Sequence, residues 1–87
     1  MVSAQTKIIN PQGMHMRPAQ VLVSALAPFK CDINIIFNGK SVNAKSILNL
    51  MTACIKTGSV IEVCCDGEDE AEALKTVVEL VESGLGD

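Results

Sequence analysis

The dipeptide Asn38-Gly39 constrains the fold of this chain more than any other short stretch. Asn-Gly between two strand-like runs favours a two-residue β-hairpin with a type I′ turn, because both residues tolerate a positive φ. The return run, residues 40–43 or 40–44, is short and polar at alternate positions, which is typical of an edge strand. The preceding run, residues 32–37, is predicted to face the core with three alternate apolar side chains, Ile33, Ile35 and Phe37.

Apolar spacing in the rest of the chain predicts two more strands and three helices. Residues 2–9 alternate as a half-buried strand, and residues 60–65 form a dense β-branched run expected to be a largely buried strand. A first helix is predicted over residues 17–27 and is ended by Pro28. A last helix is predicted over residues 69–82. Its expected buried stripe is Ala71, Leu74, Val77, Val78 and Val81.

Between these elements, Ser46 is placed to cap a short helix that begins at Ile47. Gly84 ends the last helix, and residues 85–87 are expected to be a tail. The order β-α-β-β-α-β-α in 87 residues predicts one domain, residues 1–87, folded as an α/β (α+β) two-layer open-faced sandwich with a four-stranded sheet.

Composition and charge exclude several classes of function. The net charge is −3 and the pI is about 5.0, whereas nucleic-acid binding needs a basic surface. No apolar run approaches the ~20 residues of a membrane-spanning helix. The first residues do not show the charged start and apolar stretch of a signal peptide. The core must be aliphatic, because two Phe are the only aromatic residues.

The four cysteines do not form a disulfide or zinc pattern. They are Cys31, Cys54, Cys64 and Cys65, with no CxxC pair, and the last two should point to opposite faces of a strand. One histidine in the chain leaves no zinc ligand set, so no metal is expected. We therefore expect the four cysteines to be free thiols that pack as small apolar groups in a reducing cytoplasm.

The stretch Gly13-Met14-His15-Met16-Arg17-Pro18 carries the chemistry of the chain. Pro18 suits the first turn of a helix, so His15 is expected on a loop beside a helix N-terminus, where backbone N–H groups favour an anion. A neutral imidazole is a nucleophile near pH 7, and the Arg17 guanidinium matches phosphate. These groups predict a phosphoryl acceptor at His15. The alternative is a solvated histidine beside a surface arginine.

This motif, followed by Ala19, resembles the active site of HPr, the histidine-containing phosphocarrier family of the bacterial sugar phosphotransferase system. The resemblance extends over nearly the whole chain and includes Ser46, which precedes an Ile and a Leu/Met run. It implies an antiparallel sheet covered on one face by all three helices. One position departs from the family pattern. Met16 stands where the family usually has a small or hydroxyl-bearing residue, and a methionine cannot supply a hydroxyl cap.

An apolar surface around the histidine is expected to receive partner proteins, because exposed methionine makes an adaptable docking surface. The alternative is that the methionines have no role and Val21 is partly buried. The predicted partner-binding residues are Met14, Met16, Gln20, Val21, Ile47, Leu48 and Met51.

The resemblance implies a carrier that is not itself an enzyme and has no cofactor. His15 accepts a phosphoryl group from enzyme I and passes it to a sugar-specific enzyme IIA, and Arg17 stabilises the phosphate. By the same resemblance, Ser46 is expected to be phosphorylated by a kinase/phosphorylase, and a catabolite-control transcription regulator is expected as a further partner. The chain is expected to be a cytoplasmic monomer without direct nucleic-acid binding or membrane insertion. Two alternatives remain: a regulatory relative that acts only through Ser46, and an interaction domain without phosphotransfer.

Overall fold

A computed structural model of the chain describes residues 1–86 and has the predicted order of elements. Its seven elements are β1 (Val2–Lys7), α1 (Met16–Leu26), β2 (Asp32–Phe37), β3 (Lys40–Asn43), α2 (Ile47–Thr52), β4 (Val60–Asp66) and α3 (Glu70–Glu82). The strands form one antiparallel sheet in the order β1-β4-β2-β3. The three helices cover one face of the sheet, which confirms the predicted open-faced sandwich.

The predicted hairpin is present with the predicted edge strand. Phe37 pairs with Lys40, and the two turn residues, Asn38 and Gly39, have φ values of 52° and 76°. Positive φ at both positions is the requirement of a type I′ turn. β3 pairs only with β2, so it lies at one edge of the sheet.

Strand β4 is buried on one face only, which corrects the prediction of a largely buried strand. Ile61, Val63 and Cys65 are at most 1% exposed, whereas Val60 at the start of the strand is 59% exposed. β4 lies inside the sheet, between β1 and β2, but the helices cover only one face of it. The dense β-branched run therefore indicated a strand correctly without indicating burial on both faces.

Helix α3 packs through a stripe that differs from the predicted one at its start. Ala73, Val77 and Val81 are fully buried at i, i+4, i+8 spacing, whereas Ala71 is exposed. The predicted tail is also wrong at Leu85, which is fully buried in the core, while Asp87 lies outside the described residues. The backbone N–H of Leu85 donates to the carbonyl of Leu80, which turns the chain back onto the core.

The start of α3 is tied to the start of β2. The Asp69 carboxylate accepts hydrogen bonds from the backbone N–H groups of Lys30 and Cys31, each at 2.9 Å. The Lys30 bond is the main reason why the pKa of Asp69 lies below its ordinary value. Gly67 is required here, because a Cβ at this residue would lie 2.7 Å from Cys31 Cβ.

All four cysteines are free thiols, but they are not all packed as small apolar groups. Cys31 and Cys65 are buried in the core, and burial raises the pKa of the Cys31 thiol to about 11. Cys64 is half-buried on the opposite side of β4 from Cys65, as predicted for neighbours in a strand. Cys54 is exposed, which corrects the prediction for that residue. No helix among residues 1–86 is long and apolar enough to cross a membrane.

Candidate functional site

The loop between β1 and α1 is held by hydrogen bonds centred on Gly13. The Gly13 N–H donates to the Asn10 carbonyl at 3.1 Å, and the Asn10 side-chain amide donates to the Gly13 carbonyl. The same Gly13 carbonyl accepts the His15 N–H at 3.0 Å. The loop is therefore a compact turn that leads directly into the histidine.

Gly13 is required by both its backbone conformation and its surroundings. Its φ is +68°, and a Cβ at this residue would lie 2.6 Å from the Ile55 carbonyl oxygen and 2.9 Å from Thr57 N. The neighbouring Met14 N–H donates to that Ile55 carbonyl at 2.8 Å. The histidine loop is thus packed onto the segment that connects α2 to β4.

Met14 is not part of an exposed docking surface, which corrects the prediction for that residue. Its side chain is 4% exposed and belongs to the main hydrophobic core. The Met14–Ile55 hydrogen bond holds the backbone against the 55–57 segment, and the side chain packs among the apolar residues of the core. Met14 therefore attaches the histidine loop to the hydrophobic core.

His15 is the N-cap residue of α1, with φ −94° and ψ −171°. The first intrahelical hydrogen bond runs from Ala19 N–H to the His15 carbonyl at 3.1 Å. The N–H groups of Met16 and Arg17 come before that bond and therefore have no acceptor within α1. Pro18, the next residue, has no N–H. The half-buried His15 side chain is therefore attached where a helix N-terminus favours negative charge.

Arg17 lies two residues beyond the histidine, in the first turn of α1, and is exposed. Pro11, Gln12, His15 and Arg17 together line a surface depression of about 420 Å³. A guanidinium and a helix N-terminus that meet in one depression form an arrangement that can hold a phosphoryl group. Met16 is the first residue of α1 rather than its cap, which corrects the view that a hydroxyl at this position would cap the helix.

Ser46 is the N-cap of α2, as predicted. Its Oγ accepts a hydrogen bond from the backbone N–H of Asn49 at 3.2 Å, and the side chain is half-buried. α2 has six residues, and among its apolar side chains only Leu50 is fully buried. The Ser46 hydroxyl therefore stabilises the start of α2.

The remaining predicted partner-binding residues are exposed to different degrees. Leu48 is 75% exposed and Met16 is 53% exposed, and Gln20 is also exposed. The other three predicted residues are half-buried, namely Val21, Ile47 and Met51. Val21 is therefore partly buried, as the alternative interpretation of the sequence held.

Charge is strongly segregated along the chain, which the net charge of −3 conceals. Residues 10–58 contain five of the seven Lys and Arg residues and one acidic residue, Asp32. Residues 59–87 contain nine of the ten acidic residues. α1 and α2, whose N-caps are His15 and Ser46, therefore belong to the basic section of the sequence, and α3 belongs to the acidic section.

Two functional positions were missed by the sequence interpretation. Asn10 was assigned only to a loop, yet it is 2% exposed and bonds to Gly13 through both its backbone and its side chain. Ile55 was not singled out, yet its carbonyl anchors Met14. The Asn-Pro-Gln-Gly sequence indicated a turn, but the turn signal contains no information about which turn residues become buried.

Comparison with known proteins gives a consistent family assignment. Residues 2–83 match the model of the PTS HPr component phosphorylation site. The chain is 44% identical over 75 residues to the phosphocarrier protein HPr of Buchnera aphidicola, covering 86% of this chain and 88% of that protein. The chain belongs to the HPr family. HPr proteins are phosphocarriers of the phosphotransferase system, which agrees with the motif around His15.

Solved structures of the HPr family superpose closely on this fold. An HPr protein from Thermoanaerobacter tengcongensis is 37% identical, with a TM-score of 0.95 over 100% of this chain and 98% of that chain. The catabolite repression protein Crh from Bacillus subtilis is 34% identical, with a TM-score of 0.78 and 97% coverage of both chains. The fold is therefore shared with both carrier and catabolite-repression members of the family.

Proposed function

We propose that this HPr-family chain carries a phosphoryl group on His15 between two enzymes. It takes the group from phosphorylated enzyme I and gives it to a sugar-specific enzyme IIA. The observation that carries the proposal is the placement of His15 as the N-cap residue of α1, beside the first-turn N–H groups of Met16 and Arg17. The chain acts as a cytoplasmic monomer, needs no cofactor and is itself the substrate of its partner enzymes.

The transfer is a pair of in-line displacements at phosphorus. The Nδ1 lone pair of His15 forms a P–N bond while the bond from phosphorus to enzyme I breaks, and enzyme IIA then displaces His15 in the same way. The N–H groups of Met16 and Arg17 and the Arg17 guanidinium offset the phosphate charge. Met16 and Arg17 are exposed to water, which keeps their stabilisation of the phosphohistidine moderate. The phosphoryl group therefore stays transferable.

Partner docking rests on apolar contacts, to which nearby basic residues of the sequence add electrostatic attraction. Leu48 and Met16 present the most exposed apolar side chains on α1 and α2. The surplus of Lys and Arg in residues 10–58 favours partners with acidic surfaces, because opposite charges speed encounter. Gln20, Val21, Ile47 and Met51 complete the proposed docking surface.

Regulation at Ser46 follows from its place beside that surface. A kinase that phosphorylates Ser46 adds negative charge at the start of α2, where the helix dipole tolerates it. The same charge repels an acidic partner surface such as that proposed for enzyme I and attracts a basic one. A catabolite-control transcription regulator is the proposed partner of the phosphorylated form.

A purely regulatory role is the second candidate, and the likeness to Crh is the observation that favours it. A regulatory protein would act through phosphorylated Ser46 and carry out little phosphotransfer. The joint presence of His15 and Arg17 at the N-terminus of α1 favours the carrier role.

The test is a reconstituted relay. Phosphoenolpyruvate, enzyme I and an enzyme IIA are mixed with the wild-type chain, with His15→Ala, or with the matched surface variant Lys75→Ala in α3. We expect enzyme IIA to become phosphorylated with the wild type and Lys75→Ala, and not with His15→Ala. Transfer through His15→Ala would contradict the proposal, and absence of transfer through the wild type would leave the regulatory role.

A further inference from the structure

A buried asparagine lies at the base of the histidine loop. Asn10 is 2% exposed, although it is a polar residue between the end of β1 and the turn. We propose that Asn10 is a positioning residue that sets the orientation of His15 for phosphoryl transfer. This inference rests on the proposed carrier function and adds a residue to it that does not touch the phosphoryl group.

Asn10 forms hydrogen bonds with both backbone polar groups of Gly13, the N–H and the carbonyl. Its carbonyl accepts the Gly13 N–H at 3.1 Å, and its side-chain amide donates to the Gly13 carbonyl. Burial strengthens the requirement for these bonds, because a buried polar group that loses its partner costs free energy. Asn10 therefore restrains the orientation of both peptide groups of Gly13.

The Gly13 carbonyl transmits this orientation to the histidine. It accepts the His15 N–H at 3.0 Å, so Asn10 and His15 share one acceptor. The loop has a second, independent attachment through the Met14 N–H and the Ile55 carbonyl. Loss of the Asn10 side-chain amide should leave that attachment in place and release the turn between Gly13 and His15.

Loss of the Asn10 side-chain bond should affect the rate of phosphoryl transfer and not the docking of enzyme I. A histidine that samples several orientations at the N-terminus of α1 reacts more slowly, since misplacement by about 1 Å can cost on the order of a hundredfold in rate. The exposed docking residues Met16 and Leu48 lie outside the Asn10–Gly13 turn. The inference therefore predicts a change in kcat for phosphorylation by enzyme I with little change in KM.

The experiment compares Asn10→Ala and Asn10→Asp with the wild type and with Val77→Ala. Val77→Ala removes fully buried side-chain atoms from α3, which is not part of the histidine loop, and lowers stability. At a temperature where all four proteins are folded, we expect kcat to fall about tenfold or more for both Asn10 variants and to stay at the wild-type value for Val77→Ala. KM should stay within about twofold for all of them. Unchanged kcat in Asn10→Ala, or an equal loss in Val77→Ala, would overturn the inference.

A spectroscopic measurement on the wild-type chain keeps the inference testable if the variants fail to fold. The side-chain amide protons of Asn10 should exchange with solvent far more slowly than those of Asn49, which is exposed on α2. Equal exchange rates would refute the hydrogen bond on which the inference rests. Failure of the wild type to accept phosphate from enzyme I would instead refute the carrier function, so the two failures are distinguishable.

Discussion

Replacing Gly13 with alanine tests the packing that supports the histidine loop. The added Cβ meets two costs. An L-residue at a φ of +68° pays about 1–2 kcal/mol, and the Cβ would lie 2.6 Å from the Ile55 carbonyl oxygen and 2.9 Å from Lys56 Cα. Both contacts are with backbone, so relief requires the segments to separate, at a cost of about 1–3 kcal/mol. The expected loss in the free energy of unfolding is about 2–5 kcal/mol.

Gly58 provides a matched control for the backbone term. Its φ is +84°, and a Cβ there would meet no atom within 4 Å. Gly58→Ala should therefore cost only the conformational strain, about 1–2 kcal/mol. The difference between the two variants isolates the close approach of Gly13 to residues 55–57.

The assay is equilibrium unfolding in urea, with the free energy extrapolated for each variant. We expect Gly13→Ala to be less stable than Gly58→Ala by about 1–3 kcal/mol. For a domain whose whole stability is expected to be about 4–13 kcal/mol, this difference is readily measured. Equal losses in the two variants would refute the account of the loop as packed against the α2–β4 connection.

Three further predictions concern docking, capping and acid stability. Ser46→Asp should raise the KM for phosphorylation by enzyme I about two- to fivefold, with a melting temperature close to wild type because Asp also caps helices; an unchanged KM would contradict the electrostatic account. Met16→Thr should change the free energy of unfolding by less than about 0.5 kcal/mol, because Met16 is an exposed first helical residue; a gain of about 1 kcal/mol would show that it caps α1 after all. The pKa of Asp69 is lowered from 3.8, so its contribution to stability is present above that pH and disappears as the pH falls through its lower folded value. Asp69→Asn should therefore lose less stability than the wild type in urea unfolding between pH 5 and pH 2, and parallel losses would contradict this.

Local backbone chemistry made the elements predictable from the sequence. Asn38-Gly39 specified the hairpin because few residue pairs accept positive φ at both turn positions. Ser46 specified the start of α2 because its hydroxyl accepts a hydrogen bond from the N–H of the third helical residue, which has no acceptor within the helix. The antiparallel arrangement of the sheet and the common side of the helices came from the family resemblance, and the strand order was not predicted, since short amphipathic elements can be assembled in several ways.

Burial was less predictable, because it depends on how each segment packs in the whole fold and not only on the local sequence pattern. Met14 was expected at the surface since it flanks the reactive histidine, but its backbone bonds to Ile55 and its side chain lies in the core. Leu85 was expected in a tail, but the turn after α3 returns it to the core. Asn10 was identified only as a turn residue. The partner of Met14 is distant in the sequence, whereas Asn10 and Leu85 bond to nearby residues, Gly13 and Leu80, in turns whose sequence signal does not specify burial.

The central claim is that His15 accepts a phosphoryl group. The most direct measurement is the intact mass of the chain after incubation with phosphoenolpyruvate and a bacterial enzyme I, followed by treatment with acid or alkali. The account predicts a gain of one phosphate that is lost in acid and stable in alkali, as expected for phosphohistidine, and His15 is the only histidine in the chain. No gain in mass, or an acid-stable phosphate, would contradict it.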